Sequence, residues 1–429
     1  AQIDRLAVQR ESLEDIYELS PMQREMLAQT LRSPSSGVYC VQFHGRLSGA
    51  LDRAAFERAW AAVIDRHPVL RTAFHWRELE KPVQTVWRHA AIAVQEADWR
   101  GLADTEQAKR LEDFLLADRQ RGFTLDQAPL LRIAVFHAGP DSWRFVLSVH
   151  HLLLDGWCVS LFFSEVLAFY AAYSSGVEAP RLGHPRPYRD FILWLQSQGS
   201  AEEDLRLETD PGESQPASEQ ADRELPAPLT AALNELARRH RLTLNTLVQG
   251  AWALLQARAS GQRDVVFGTT VAGRPPELAG SESMIGLFIN TLPLRVEIAP
   301  EMPLIEWFGR LQERYAAMRE NEHAPVGAHR FESVLAFENY PRGTQNELNE
   351  GEDGGFALDE LETVDFNHHP LTLVAVPGER LLLRLAWSPA RLKAESAARV
   401  LAELAALLAR MTEMAAKGAL VGDLEEGRP

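Results

Sequence analysis

Trp143-Arg144-Phe145-Val146-Leu147-Ser148-Val149-His150-His151-Leu152-Leu153-Leu154-Asp155-Gly156-Trp157 is the stretch on which the reading of this chain turns. Its first half is rich in aromatic and branched apolar residues and predicts a strand. Beyond it, Val159, Phe162, Phe163, Val166, Leu167 and Tyr170 recur at helical spacing, so the chain passes from strand to helix through the two histidines. Side chains alternate across a strand, so His150 and His151 face opposite sides and at most one looks into a given cleft. Imidazoles titrate near neutrality, and a strand end followed by an Asp-Gly turn is where loops carry function. A lone histidine here would read as a hydrogen-bonded core residue. A pair followed by Asp-Gly points to chemistry.

The whole chain, at 429 residues, is long enough to bury a large core, with a prior of two or three domains. Hydrophobic content of 46% and charged content of 24% are ordinary for a globular chain. No uninterrupted apolar run reaches the roughly 20 residues of a membrane span, and Ala-Gln-Ile-Asp-Arg at the start is not a secretory signal. The missing initiator Met suggests an excised fragment. Cys40 and Cys158 are too few for a disulfide framework and fit a reducing, cytoplasmic setting. Nothing local marks Cys158 as an activated nucleophile.

The formal charge of −16 is uneven. Residues 199–224 hold nine acidic groups against Arg206 and Arg223, and residues 345–360 hold six acidic groups and no base. Together they account for −13, which reads as two solvated linkers. No basic stripe points to nucleic acid, and neither His368-His369 with Asp365 nor His150-His151 with Asp155 has zinc-site spacing.

Helices are expected over 52–65, where Ala55, Phe56, Ala59, Trp60, Val63 and Ile64 form one face, and over 105–120, with a strand at 130–137. The helix from Val159 should stop near Ser174-Ser175-Gly176. The second half predicts helices at 228–240 and 244–258, the latter capped by Thr243, and strands at 265–271 and 291–298. A helix at 303–320, a strand at 333–338, a hairpin at 371–376 and 381–387 around Pro377-Gly378, and a helix over 392–414 complete the list. The residues alone thus give a two-lobed α/β or α+β protein.

His-His-x-x-x-Asp-Gly resembles the signature of nonribosomal peptide synthetase condensation domains. The likeness extends to Ser20-Pro21-Met22-Gln23-Arg24-Glu25-Met26-Leu27, to Arg66-His67-Pro68-Val69-Leu70-Arg71-Thr72-Ala73-Phe74 and to Tyr188-Arg189-Asp190-Phe191. Gly268-Thr269-Thr270-Val271-Ala272-Gly273-Arg274-Pro275 and Ile285-Gly286-Leu287-Phe288-Ile289-Asn290-Thr291-Leu292-Pro293 continue it, in the family's order. The signature alone is shared with chloramphenicol acetyltransferase and other acyltransferases; the ordered set is far more specific. Two departures stand out, an acidic stretch directly after Gln198 and a short connection between Pro325 and Phe331.

The resemblance implies an α/β (α+β) fold of two chloramphenicol-acetyltransferase-like lobes in a V shape with a central tunnel. Residues 1–176 would form the N-terminal lobe, 177–227 the inter-lobe linker, and 228–429 the C-terminal lobe. That second lobe would carry a floor loop at about 268–287 and a latch at about 339–365. The implied activity is an acyltransferase that forms an amide between a carrier-bound acyl or peptidyl thioester and a carrier-bound aminoacyl acceptor. An ester-forming relative, a fatty-acyl starter domain and a silent recruitment module remain open.

His151 is implied as the catalytic group, by general base action or by orienting the amine, with His150, Asp155 and Gly156 beside it. Arg274, Arg66 and Arg71 would support the site, Arg274 by pairing with Asp155 from the other lobe. Gln23, Asn290 and Trp157 would line the tunnel, although a tryptophan at the position of Trp157 is more often core than substrate wall. No tightly bound cofactor or metal is expected, since substrates ride on phosphopantetheine arms. The implied partners are donor and acceptor peptidyl carrier proteins and an adjacent adenylation domain, without nucleic acid or membrane. The excised chain is expected to be a monomer.

Overall fold

The computed structural model describes residues 10–199, 219–323, 331–339 and 357–425. The chain divides into two compact units. One comprises Ala1–Gln215, Arg274–Phe288 and Tyr340–His368; the other comprises Pro216–Gly273, Ile289–Asn339 and His369–Pro429.

The first unit begins with β1 (Leu13–Glu18), α1 (Pro21–Arg32) and β2 (Cys40–Ser48), followed by α2 (Arg53–Arg66), β3 (Thr72–His75), β4 (Val83–Trp87) and β5 (Val94–Asp98). Then come α3 (Asp104–Arg121), β6 (Leu131–Gly139), β7 (Ser142–His150), α4 (Gly156–Ser174) and α5 (Arg189–Ser197). The second unit holds β8 (Glu219–Glu224), α6 (Ala227–His240), α7 (Leu244–Ser260), β9 (Asp264–Val271), β10 (Asn290–Glu297), α8 (Leu304–Arg319) and β11 (Val334–Phe337). β12 (Ala357–Val364) belongs to the first unit, and β13 (Leu371–Val376), β14 (Leu382–Trp387), α9 (Ala394–Ala415) and α10 (Val421–Glu425) to the second.

In the first unit a five-stranded sheet runs β12-β2-β7-β6-β5, so the strand carrying the histidines is its middle strand. All neighbours are antiparallel except β5 and β6. A smaller antiparallel sheet, β1-β4-β3, accompanies it. The apolar face read from α2 is the buried one. Its Trp60 ring stacks on Phe145 of β7 at 5.9 Å and meets Phe162 of α4 edge-on at 5.2 Å. α4 is long and apolar enough to cross a membrane by length and composition alone. Its Phe162, Phe163 and Val166 instead fill the core under the sheet.

The second unit is built on a six-stranded mixed sheet, β10-β9-β11-β13-β14-β8. Trp252 of α7, Phe308 of α8 and Leu404 of α9 are buried in one cluster with Phe267 and Leu383 of the sheet. Thr243 caps α7 by accepting from the Thr246 N–H at 3.0 Å, and Gly261 ends it at a φ of 71°.

Three expectations change. Residues 177–227 are not all linker, since they contain α5 and β8, and the second unit begins at Pro216. β8 is acidic because it is an edge strand whose Asp222 pairs with Arg384 of β14 at 2.7 Å. Arg274–Phe288, most of the expected floor loop, belongs to the first unit, so Arg274 does not reach Asp155 from a different lobe. The rest of the acidic stretch before β8, the connection from 324 to 330, and residues 340–356 of the expected latch lie outside the described residues.

Candidate functional site

The signature begins where β7 ends. The His150 N–H donates to the Leu130 carbonyl at 2.9 Å and the His151 N–H to the Tyr39 carbonyl at 2.8 Å. Asp155 is extended, with φ −105° and ψ 175°, and its carboxylate accepts from the Cys158 N–H at 3.3 Å. It is therefore the N-cap of α4, and Gly156 is the first helical residue rather than the far side of a turn. That is why the helix opens three residues before the apolar spacing predicts. Gly156 sits where helix geometry leaves N–H groups without intrahelical partners.

Asp155 and Arg274 are both buried. Arg274 Nη2 donates to Asp155 Oδ1 at 3.2 Å, and the Phe288 N–H donates to Asp155 Oδ2 at 2.9 Å. The guanidinium also donates to the carbonyls of Ser281 and Met284 and lies 4.0 Å over the Phe288 ring. Burial is the largest single influence and works against its charge, but Asp155 and Cys158 together outweigh it and the net effect raises its pKa. Cys158 completes the knot, its sulfur 3.1 Å from Arg274 Nη2 and 3.2 Å from both Asp155 Oδ1 and the Gly286 carbonyl. Burial, reinforced by the Asp155 charge, pushes the thiol up to about 12, so Cys158 is a strut and not a thiolate. The loop before Phe288 is pressed close by Tyr188, whose hydroxyl donates to the Leu287 carbonyl at 2.5 Å. Gly286 is required there, because a Cβ would overlap the Tyr188 ring.

The two histidines live in different worlds. His150 is buried, its Nδ1 accepting from the Leu152 N–H at 3.2 Å. That leaves the proton on Nε2, which faces Thr30 Oγ1 at 3.2 Å while the Thr30 hydroxyl donates to the Met26 carbonyl. Burial, helped by the neighbouring His151, pushes His150 down to about 3. It is neutral whenever the protein is folded near neutrality.

His151 keeps 12% of its side chain exposed. Its Nε2 lies 4.0 Å from Asp365 Oδ2, and its Nδ1 is buried without a hydrogen-bond partner among the described residues. The Tyr39 ring meets the imidazole edge-on at 6.4 Å. Tyr39 itself is held at a φ of 61°, with its N–H on the Phe366 carbonyl at 2.8 Å and its hydroxyl on His368 Nδ1. His368 Nε2 lies 3.6 Å from Glu25, and burial followed by the Arg32 charge lowers its pKa to about 4. One partly exposed imidazole thus stands beside a half-exposed carboxylate, next to Tyr39 and the His368 it bonds.

The structure redistributes the remaining expected residues. Gln23 is not a channel wall: it is fully buried, donates to the Leu152 carbonyl at 3.0 Å, exchanges bonds with Gln84 and closes the cap of α1 with Ser20. Asn290 is also buried, in the second unit, with its amide on the Glu322 carbonyl at 2.9 Å. Trp157 is half-buried and its indole N–H donates to the Glu282 carbonyl at 3.0 Å. Arg66 pairs with Glu165 of α4 at 3.0 Å, supporting the helix that follows the signature. Arg71 braces α2, β1 and β4 through Ile64, Glu14 and Trp87, and no signature residue is among its hydrogen-bond partners. Tyr39, Asp365 and His368 escaped sequence reasoning as a group around His151, since no local spacing links residues so far apart. Among the described residues no cluster of three or more His, Cys, Asp or Glu side chains is arranged to hold a metal.

A family model described as the condensation domain matches residues 13–419. The chain is 37% identical over 428 residues to one of the linear gramicidin synthase proteins of Brevibacillus parabrevis, covering 92% of this chain and 5% of that protein. It is 31% identical to surfactin synthase subunit 3 of Bacillus subtilis (strain 168), covering 88% of this chain and 31% of that one. It thus spans only a small part of the curated relatives. Its fold matches the first condensation domain of the calcium-dependent antibiotic synthetase, with a TM-score of 0.78 at 20% identity over 97% and 99% of the two chains. A four-domain nonribosomal peptide synthetase matches with a TM-score of 0.77 at 17% identity over 96% and 34%.

Proposed function

The chain belongs to the condensation-domain family, and from that premise we infer that it joins an acyl or peptidyl thioester donor to an aminoacyl acceptor through an amide bond. Both substrates arrive on phosphopantetheine arms of peptidyl carrier proteins, in a cytoplasmic synthetase whose adjacent adenylation domain loads the acceptor. The observation that carries this reading is His151, a partly exposed imidazole at a strand end, its N–H held on the Tyr39 carbonyl and its Nε2 beside Asp365.

Amide formation makes one C–N bond and breaks one C–S bond. The acceptor enters as an ammonium, loses one proton to become nucleophilic, and loses a second after attack. The sulfur leaves and takes up a proton as thiol. His151 Nε2 is suited to receive the second proton and deliver it to the leaving sulfur, because an imidazole nitrogen can both accept and release a proton. Tethering supplies much of the rest, turning a bimolecular encounter into one held at high effective concentration.

The test is a reconstituted condensation with loaded donor and acceptor carriers. Product should form with wild type and fall about 10²-fold or more in His151→Ala, a typical acid–base contribution. Untethered amino acids should be poor acceptors. Equal turnover by folded His151→Ala, or by free amino acids, would sink the reading.

A further inference from the structure

Asp365 is the group around His151 that the reaction as described does not use. Its Oδ2 lies 4.0 Å from His151 Nε2, too far for a direct hydrogen bond, and among the described residues no lysine or arginine is within ion-pair reach of it. Its side chain is 40% exposed, while its Oδ1 is buried without a hydrogen-bond partner. The neighbouring groups do not neutralise it: Tyr39 carries a hydroxyl held protonated by burial, and burial lowers the pKa of His368. A carboxylate with an open face thus points at the same place as the catalytic imidazole.

The gap has a defined chemical size. One atom at about 2.8–2.9 Å from each acceptor would subtend an angle of about 90° between them, close to the spread of N–H bonds on a tetrahedral nitrogen. We propose that the α-amino group of the acceptor binds between Asp365 Oδ2 and His151 Nε2, and that Asp365 makes this domain select amine over hydroxyl acceptors.

The assignment rests on the condensation reading and deepens it. The ammonium form is drawn by the carboxylate and gives its first proton to solvent at the exposed edge. The neutral amine then donates one N–H to Asp365 and one to His151, which leaves its lone pair free for the thioester carbonyl. The C–N bond forms, His151 takes the second proton, the C–S bond breaks and the thiolate is protonated. Asp365 stabilises the imidazolium at that moment, an opposite charge 4.0 Å away. A hydroxyl has a single proton and satisfies only one of the two acceptors, so it is disfavoured at the site.

Pantetheine amides of L-alanine, L-valine and L-phenylalanine, and of the matching α-hydroxy acids, serve as probes in calorimetric titrations of wild type, Asp365→Asn and Asp365→Glu. Wild type should bind the amine form of at least one pair about tenfold or more tightly than the hydroxy form, a discrimination typical of a site built to bond the missing group. Asp365→Asn should lose that preference with hydroxy binding unchanged, and Asp365→Glu should restore part of it. In the condensation assay Asp365→Asn should raise the acceptor KM more than it lowers kcat. The proposal is overturned if Asp365→Asn keeps the amine preference, or if it weakens both probe classes equally, as a residue that only orients His151 would. Failure of wild type to bind any probe and to condense any loaded carrier pair would instead defeat the condensation reading itself.

Discussion

Arg274 Nη2 sits 3.2 Å from Asp155 Oδ1, a contact between residues 119 positions apart whose side chains retain 3% and 0% of their exposure. It joins the helix start after the histidines to the loop that ends at Phe288, and Asp155 is also the cap of that helix. Losing either partner strands the other charge in the interior. Asp155→Ala and Arg274→Ala should each lower stability by about 3–5 kcal/mol, the range for breaking a buried pair. Arg274→Lys should be nearly as harmful, because an ammonium cannot reproduce the guanidinium's bonds to Asp155, Ser281 and Met284 together. Urea titration checks this, and a loss under about 1 kcal/mol, the level of an exposed pair, would refute it.

His150 and His151 should separate stability from chemistry. His151→Ala is expected to fold normally and lose turnover. His150→Ala removes the acceptor of the Leu152 N–H and the partner of Thr30, so it should destabilise by about 1–3 kcal/mol through orphaned buried groups. Melting temperature and turnover measured on the same preparations decide between them.

Acid should unfold the protein partly through buried imidazoles. His150 and His368 titrate at about 3 and about 4 when folded, against 6.5 when unfolded. Between those values the unfolded chain binds more protons, so stability falls as pH drops below about 6.5 and rises again toward neutrality. Replacing His150 with Gln should flatten this slope between pH 6 and 4 by one proton, about 1.4 kcal/mol per pH unit. An unchanged slope in the variant would show that His150 is not the protonation site.

Cys158→Ser should keep both fold and activity. A hydroxyl can repeat the sulfur's contacts with Asp155, Gly286 and Arg274, and a thiol raised to about 12 supplies no nucleophile. Iodoacetamide should modify Cys158 only on unfolding. Rapid labelling of the native protein, or loss of turnover in the folded serine variant, would contradict this.

Gly286→Ala should be costly for one methyl group. The new Cβ would enter the space of the buried Tyr188 ring, whose hydroxyl is tied to Leu287. Overpacking of this kind costs about 1–3 kcal/mol, and here it would also displace the Phe288 N–H from Asp155. Denaturant titration of Gly286→Ala beside Tyr188→Phe shows whether the ring or the hydroxyl bond carries the effect.

Local signals were legible wherever short-range physics decides. The face of α2, the Thr243 cap, the strand ending at His150 and the hairpin around Pro377-Gly378 follow from periodicity and capping within a few residues. The ordered motifs also led to the family and to His151. What a polar residue does once buried was not legible locally. Gln23 reads as a site residue yet is spent bonding Leu152 and Gln84, and the acid of β8 reads as linker yet pairs along a sheet edge. Tyr39, Asp365 and His368 stand around His151 only because β12 runs beside β2 and β2 beside β7. Periodicity registers neighbours a few positions apart, whereas the partner of a buried charge is set by which distant strands the chain pairs and by how much water that pairing removes.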